Sequence, residues 1–331
     1  MITASSLLAV PPEGIFKDPD WHLWGGTALP FENKWYRIFA RWPKNTSFDS
    51  WVSRSEIAGA VGDSPIGPWS DVRTLLGREE SDKWDAHNFH NPAPIFAEGK
   101  FWLFYTGNRG NGEFWDHRNH QRIGVAVADH PFGPWKRSSQ PIVDTTPGGW
   151  DHLIANCPTV TRGPDSLYRM VYKGVSEGPL PFGGTVRMGL AIAAHPAGPW
   201  EKQSGNFFCK EGVKFTSDDN YIWFEDGLYR AIVKDYGNHF QSQAKEALVL
   251  FTSRNALDWE LVSPDPVLTT FHLTIGNDRR GPFFRLDQPQ LIFDSGRCAR
   301  ALCLSIKEQP DKMNDDLSYT VQIPLRSGKT A

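Results

Sequence analysis

NPAPIFAEGKFWLFYTG (residues 91–107), followed by RIGVAVADHPFGPWKR (122–137), holds the pattern that decides the fold. A short strand opens near a proline and stops at a Glu-Gly turn. An aromatic strand follows, then one that alternates small and apolar residues, and the segment closes on Gly-Pro-Trp. The same order returns along the chain. CPTVTRGPDS (157–166), LYRMVYKG (167–174) and MGLAIAAH (188–195) lead to AGPWEK (197–202). DNYIWFEDG (219–227), LYRAIVKD (228–235) and EALVLFTS (246–253) lead to a degenerate LDWELV (257–262). An earlier, looser copy reads WGGTALPFENK, WYRIFARW, WVSRSEIAGAV and IGPWSD (24–71), and a last one, DQPQLIFDSGR, CARALCLSI and LSYTVQIPL (287–325), lacks the terminal GPW.

The marker tryptophans Trp69, Trp135, Trp200 and Trp259 stand 66, 65 and 59 residues apart, and helical periodicity is nearly absent. Five units of about four strands, each too small to bury its own faces, predict an all-β, five-bladed β-propeller with four-stranded antiparallel blades around a central channel. The 331 residues then form one domain, with blades at about 20–75, 85–140, 150–205, 215–265 and 285–327. A β-sandwich array would not give five units one shared strand order. Each GPW turn is expected just before an outer strand, its tryptophan packed between blades.

Composition agrees. Fourteen Trp and 21 Phe against four Met, with 30 Gly and 25 Pro, suit short strands and tight turns. A formal net charge of -3, with no Lys/Arg run, leaves no basic field for a phosphate backbone, so nucleic acid is not an expected partner. Apolar runs stop at about eight residues where a bilayer needs roughly 20, so no membrane helix is expected. MITASSLLAVPPEG carries no Lys or Arg ahead of its short apolar run, so a cytoplasmic location is expected, or a periplasmic or secreted one if a leader has been removed. Cys157, Cys209, Cys298 and Cys303 show no CxxC spacing and read as plain thiols. Two histidine sets, His87 with His90 and Asp116-His117 with His120, fall on no predicted helix, so no metal ligation is expected there. No cofactor is expected, although a structural ion in the channel, like a homodimer, is compatible with the sequence.

In a propeller the innermost strands line the channel, and residues at their starts gather at one mouth. Reading each unit there gives Asp20; His90 and Asn91; Asp151 through Asn156; Asp218 and Asp219; and Asp287. Converging carboxylates raise one another's pKa and are unfavourable unless something uses them. A pair set apart by a sugar ring is what glycosidic cleavage requires, one as acid and the other activating water or attacking the anomeric carbon. Trp21, Trp24, Phe89, Trp150, Tyr221 and Trp223 are expected to offer aromatic faces around the mouth. Lys173 and Lys234 end equivalent second strands, and Asn277, Asp278, Arg279 and Arg280 follow on a long loop with His272, an expected acid or substrate contact. Asp218 and Asp219 are neighbours on a strand, so alternation sends one of them to the sugar; the EDG/EGK alignment narrowly favours Asp219.

Over nearly its whole length the blade pattern resembles the five-bladed propeller glycoside hydrolases that include family 43 (arabinofuranosidases and xylosidases) and family 117 (anhydrogalactosidases). The resemblance implies an exo-acting, inverting hydrolase of an oligosaccharide or glycoside. Asp20 would match the blade-one base of family 43, and Asp218 or Asp219 its blade-four acid, an Asp in place of Glu. The blade-three Asp-Pro of that family reads Cys157-Pro158 here, with Asp151 the acidic residue upstream. Family 117 pairs two aspartates with a later-loop His or Glu, a place that His272 would take. Two rivals keep the fold: a phosphorylase using Arg279, Arg280 and Lys234 as a phosphate cradle, and a non-catalytic carbohydrate-binding propeller.

Overall fold

The computed structural model describes residues 2–203, 205–241, 244, 246–276, 279–309 and 318–326. Five four-stranded antiparallel sheets stand around one axis, as the repeats predict. The first four blades each use strands in chain order. Blade one comprises Trp21–Phe31, Lys34–Pro43, Glu56–Gly62 and Ser70–Leu76. Blades two, three and four begin with the inner strands Asn88–Ala97, Ile154–Arg162 and Ser217–Glu225 and end on two-residue outer strands at Lys136–Arg137, Glu201–Lys202 and Glu260–Leu261.

Blade five is built differently. Arg285–Phe293, Ala299–Lys307 and Ser318–Pro324 supply three strands, and its outermost strand is Ile15–Phe16, paired antiparallel with Val321 and Thr320. The missing GPW in the last repeat thus has a structural counterpart, because the fourth strand comes from the other end of the chain. Closure of this kind covers a sheet edge and locks the first blade to the last.

The GPW turns sit where expected, directly ahead of the outer strands. Gly67, Gly133 and Gly198 take φ of 100°, 83° and 91°, a region that a side chain disfavours. The tryptophans pack sideways on neighbouring blades: Trp69 donates its indole N–H to Gln322 of blade five at 2.9 Å, and Trp200 meets Phe104 of blade two edge-on at 5.7 Å. One reading from sequence is revised. Asp116 and His117 do lie on a helix, Phe114–Asn119, a single turn that follows the tight Gly110–Gly112 loop. His117 Nδ1 is shared with Asn108 Oδ1 at 2.7 Å, and its Nε2 accepts from Gly112 N–H at 3.1 Å.

Deleting residues 1–17 should leave blade five with an open edge at Ser318–Pro324. We expect Tm to fall by roughly 5 °C or more by calorimetry, with a rise in light scattering on heating; an unchanged Tm would show that the terminal strand contributes nothing to closure.

Candidate active site

Every inner strand carries a β-bulge at the same height. At each bulge the first residue adopts a left-handed backbone: Gly25 (φ 61°, followed in blade one by Gly26 at 85°), Asn91 (49°), Cys157 (51°), Asp219 (33°) and Gln288 (53°). These five are symmetry equivalents and form a ring on the axis. The residues before them, Trp24, His90, Asn156, Asp218 and Asp287, pair across the sheet with Ala40, Thr106, Lys173, Lys234 and Ser305 of the second strands. Left-handed φ outside glycine is strained, least for Asn and Asp, and such strain concentrates at functional sites.

The second-strand residues bind each blade to the next. Thr106 Oγ1 accepts from Cys157 N–H at 3.0 Å, Lys173 Nζ donates to Asp218 Oδ1 at 2.5 Å, Lys234 donates to Asp287, and Ser305 Oγ accepts from Gly25 N–H at 2.6 Å. Ala40 has no polar atom to offer, and Ser55 stands in for it, its Oγ 2.9 Å from His90 Nδ1. Lys234 also meets Glu246 at 3.0 Å, so this buried ammonium is held by two carboxylates.

The bulge removes the strand alternation that would have sent Asp218 and Asp219 to opposite faces. Both enter the ring, toward opposite neighbours: Asp218 turns to Lys173 of blade three, and Asp219 accepts from the Gln288 backbone N–H of blade five at 3.0 Å and from the Gln288 side-chain amide. Their protonation diverges. Burial opposes charge on both. Lys173 and Lys234 nonetheless hold Asp218 below the ordinary carboxylate range, whereas burial and the charges of Asp218 and Asp287 push Asp219 up to about 7. Burial also works against charge on Lys173, which Asp218 outweighs, holding it above the usual lysine range. His90, buried and facing the Lys173 charge, is driven down to about 3 and is a neutral ring tilted at 31° to Trp51, 5.0 Å between centroids. Burial raises Cys157 to about 12, so its thiol is no nucleophile.

Several residues named from sequence lie elsewhere. Asp20 is exposed in the bend before the inner strand of blade one, upstream of that blade's ring position, which is Gly25. The looser first repeat hid this offset. Asp151 is fully buried but accepts from Tyr172 Oη at 2.8 Å and Lys202 Nζ at 2.6 Å, a tie to the outer strand of its own blade. Asp85 repeats that tie in blade two with Tyr105 and Arg137, marking the Trp-Asp pair as a blade fastener. His272 is exposed, bonds Thr269 Oγ1 at 2.7 Å, and lines a depression with Leu7, Leu8 and Asp265 that contains none of the ring residues. Tyr221 and Trp223 line a hollow with Phe31, Phe96 and Phe293, at the far ends of the inner strands. Phe89 is core, and Trp150 packs on Tyr172. Trp21 is capped by Arg41 at 4.1 Å. Asn277 and Asp278 lie outside the described residues, and Arg279–Arg280 pairs as backbone with Thr274–Ile275.

Sequence reading missed the chamber that Asp218 opens into. A groove of about 530 Å³ has Asp218, Lys173 and Asn156 on its floor and six aromatic rings, Trp51, Phe114, Trp115, Phe182, Phe215 and Tyr236, on its walls. Asn156 Nδ2 donates to Gln121 Oε1 at 2.5 Å, leaving Asn156 Oδ1 and Gln121 Nε2 buried with no partner among the described residues. Those aromatics sit on inter-strand loops and on the helix, where no repeat pattern marks them. Gln288 was within reach of sequence, because Asn91-Pro92, Cys157-Pro158 and Gln288-Pro289 share one dipeptide form at the bulge.

No family model matches this chain, and no curated protein matches it. Solved structures do, over nearly its full length. A BT0996 RGII complex matches at 15% identity over 99% of this chain and 92% of its own, with a TM-score of 0.68. A family 117 glycoside hydrolase from the marine bacterium Zobellia galactanivorans matches at 15% over 96% and 89% (TM-score 0.64), and a thermostable family 43 glycoside hydrolase at 12% over 98% and 97% (0.64). The chain shares their fold. Of the bulge positions in blades one, three and four, only that of blade four is a carboxylate, Asp219, with Gly25 and Cys157 in the other two.

Two substitutions separate fastening from site chemistry. Asp151→Ala should cost about 2–3 kcal/mol in denaturant unfolding, toward the low end for a broken buried pair because Lys202 keeps 24% of its side chain exposed, while leaving ligand affinity in the groove unchanged. Asp219→Asn should stabilise. An unfolded Asp loses its proton near pH 3.9, about three units before folded Asp219 does, so the folded state binds the extra proton and stability falls as pH rises from about 4 to 7. The gain in Tm from Asp219→Asn should therefore be small at pH 4 and largest at pH 7 and above; a pH-independent gain would contradict the raised pKa.

Proposed function

We propose that this protein is a glycoside hydrolase that removes a terminal sugar from an oligosaccharide, with Asp219 as general acid and Asp218 as the base that activates water. The observation that carries this reading is the split protonation of two adjacent buried carboxyls: Asp219 retains its proton close to neutrality while Lys173 keeps Asp218 ionised. Environments that push two carboxyls apart in this way assign acid and base. Asp20, exposed outside the ring, cedes the base role to Asp218.

The groove supports a carbohydrate as occupant. Aromatic walls suit the CH faces of a pyranose or furanose, and Asn156 Oδ1 with Gln121 Nε2 offers an acceptor beside a donor, the complement of a hydroxyl that both gives and takes a hydrogen bond. Phosphorolysis is less well supported, since Lys234 is already held by Asp287 and Glu246. A non-catalytic carbohydrate-binding propeller is the second reading, favoured by one fact: glycine and cysteine at the blade-one and blade-three ring positions.

The test is turnover of aryl glycosides and oligosaccharides. Asp219→Asn should lower kcat by about 10²–10⁴ with binding retained, and the unmodified protein should lose activity as pH rises through about 7, where Asp219 releases its proton. Release of the inverted anomer first, read by proton NMR, is expected of the inverting course. Binding with no turnover of any glycoside, and no change on Asp219→Asn, would establish the second reading instead.

A further inference from the structure

We infer that the sugar taken into the groove carries an anionic substituent, a carboxylate or a sulfate ester, that docks on Arg118 and Lys214. This rests on the groove being the substrate site of the proposed hydrolase. The groove is lined by three cations, Arg118, Lys173 and Lys214, and one carboxylate, Asp218, so its walls sum to +2 in a chain whose formal net charge is -3. Lys173 and Asp218 neutralise each other at 2.5 Å, and the surplus is Arg118 and Lys214.

Neither surplus cation has a carboxylate within ion-pair distance among the described residues. Arg118 is positioned rather than loose. Its Nη1 donates to Asn119 Oδ1 at 3.0 Å and to the Phe182 carbonyl at 3.3 Å, and its guanidinium carbon stands 5.7 Å from the centre of the Trp115 ring. Two contacts fix the plane while Nη2 and Nε face no carboxylate. A held guanidinium fork with donors to spare is the geometry that takes carboxylate or sulfate oxygens two at a time. Arg118 and Asp218 line the same groove without an ion pair between them, which puts an anionic substituent in the chamber of the reacting bond. Lys214 is an exposed residue of the same groove lining, beside Phe215, and adds a second, rotatable donor. Around them the rim is bare aromatic surface: Trp115 is 37% exposed, Phe182 58% and Tyr236 42%. Aromatic planes flanking two unpaired cations match a sugar ring with one charged arm, and a neutral sugar would leave Arg118 partly desolvated and unmatched.

Calorimetric titration of the Asp219→Asn protein, in which turnover is blocked, tests this. The probes are a uronate-terminated disaccharide, its carboxyl-reduced counterpart and the same disaccharide with a 6-sulfate ester, each in gluco, galacto and manno configuration. At least one anionic probe should bind about 10-fold or more tightly than its neutral partner, with the preference shrinking at high salt; which anion wins separates carboxylate from sulfate. Adding Arg118→Gln should abolish the preference and Lys214→Gln, at an exposed position that cannot compromise folding, should reduce it. Equal binding of charged and neutral probes, no binding of any anionic probe, or a preference that survives Arg118→Gln overturns the inference. Hydrolysis of neutral glycosides in preference to anionic ones would sink it and leave the hydrolase standing, whereas anion-selective binding with no hydrolysis by the unmodified protein would do the reverse.

Discussion

Each blade reaches the next through polar contacts at the bulge, and the site depends on that ring of contacts. Where the linking side chain is Thr106 or Ser305 the link is a neutral hydrogen bond to a backbone N–H, and it leaves no charge on the axis. Where it is Lys173 or Lys234 the link is an ion pair to an aspartate of the following blade. Closure and chemistry are thus one set of bonds: the lysines that hold blades three, four and five together also fix which carboxyl near the axis is charged.

Unlike Asp218 and Asp287, Asp219 has no cation paired with it among the described residues. It is buried, bonded to the neutral Gln288 amide, and faces the charges of Asp218 and Asp287. Burial and like charge therefore act on it unopposed by any contact ion pair, and the proton stays. The left-handed bulge and the Gln288 contact hold the carboxyl in this buried position, with 6% of the residue exposed. Gln288 spans the ring from Asp219 toward Gly25, its Oε1 3.5 Å from where a Gly25 Cβ would stand. Blade one therefore yields its place on the axis to a side chain from blade five.

The repeat order was legible because it is local: strand, turn, aromatic strand, alternating strand and GPW each express a short-range preference, and a blade cannot bury its faces without neighbours. Residues of the ring could be read only where the repeats were clean. Asp218, Asp219, His90, Asn91 and Asp287 fell at the correct height, while in the loose first copy Asp20 stood in for Gly25, because a carboxylate near a strand start reads alike whether it faces the channel or water. Asp151 was read as a site residue on the same signal, and only its bonds to Tyr172 and Lys202 show it fastening a blade.

What the sequence by itself determined is the five-fold β-repeat, the absence of a GPW turn from its last copy, and an acidic pair where blade four begins. Tertiary structure decided the rest. It drew Ile15–Phe16 across to close blade five, a pairing between residues some 300 positions apart that no local pattern encodes. It bulged the inner strands so that Asp218 and Asp219 both enter the ring, and it gathered Trp51, Arg118, Phe182 and Lys214 from separate loops into one groove. Protonation state and groove charge depend on burial and on neighbours distant in the chain, and those distances exist only after the blades have closed.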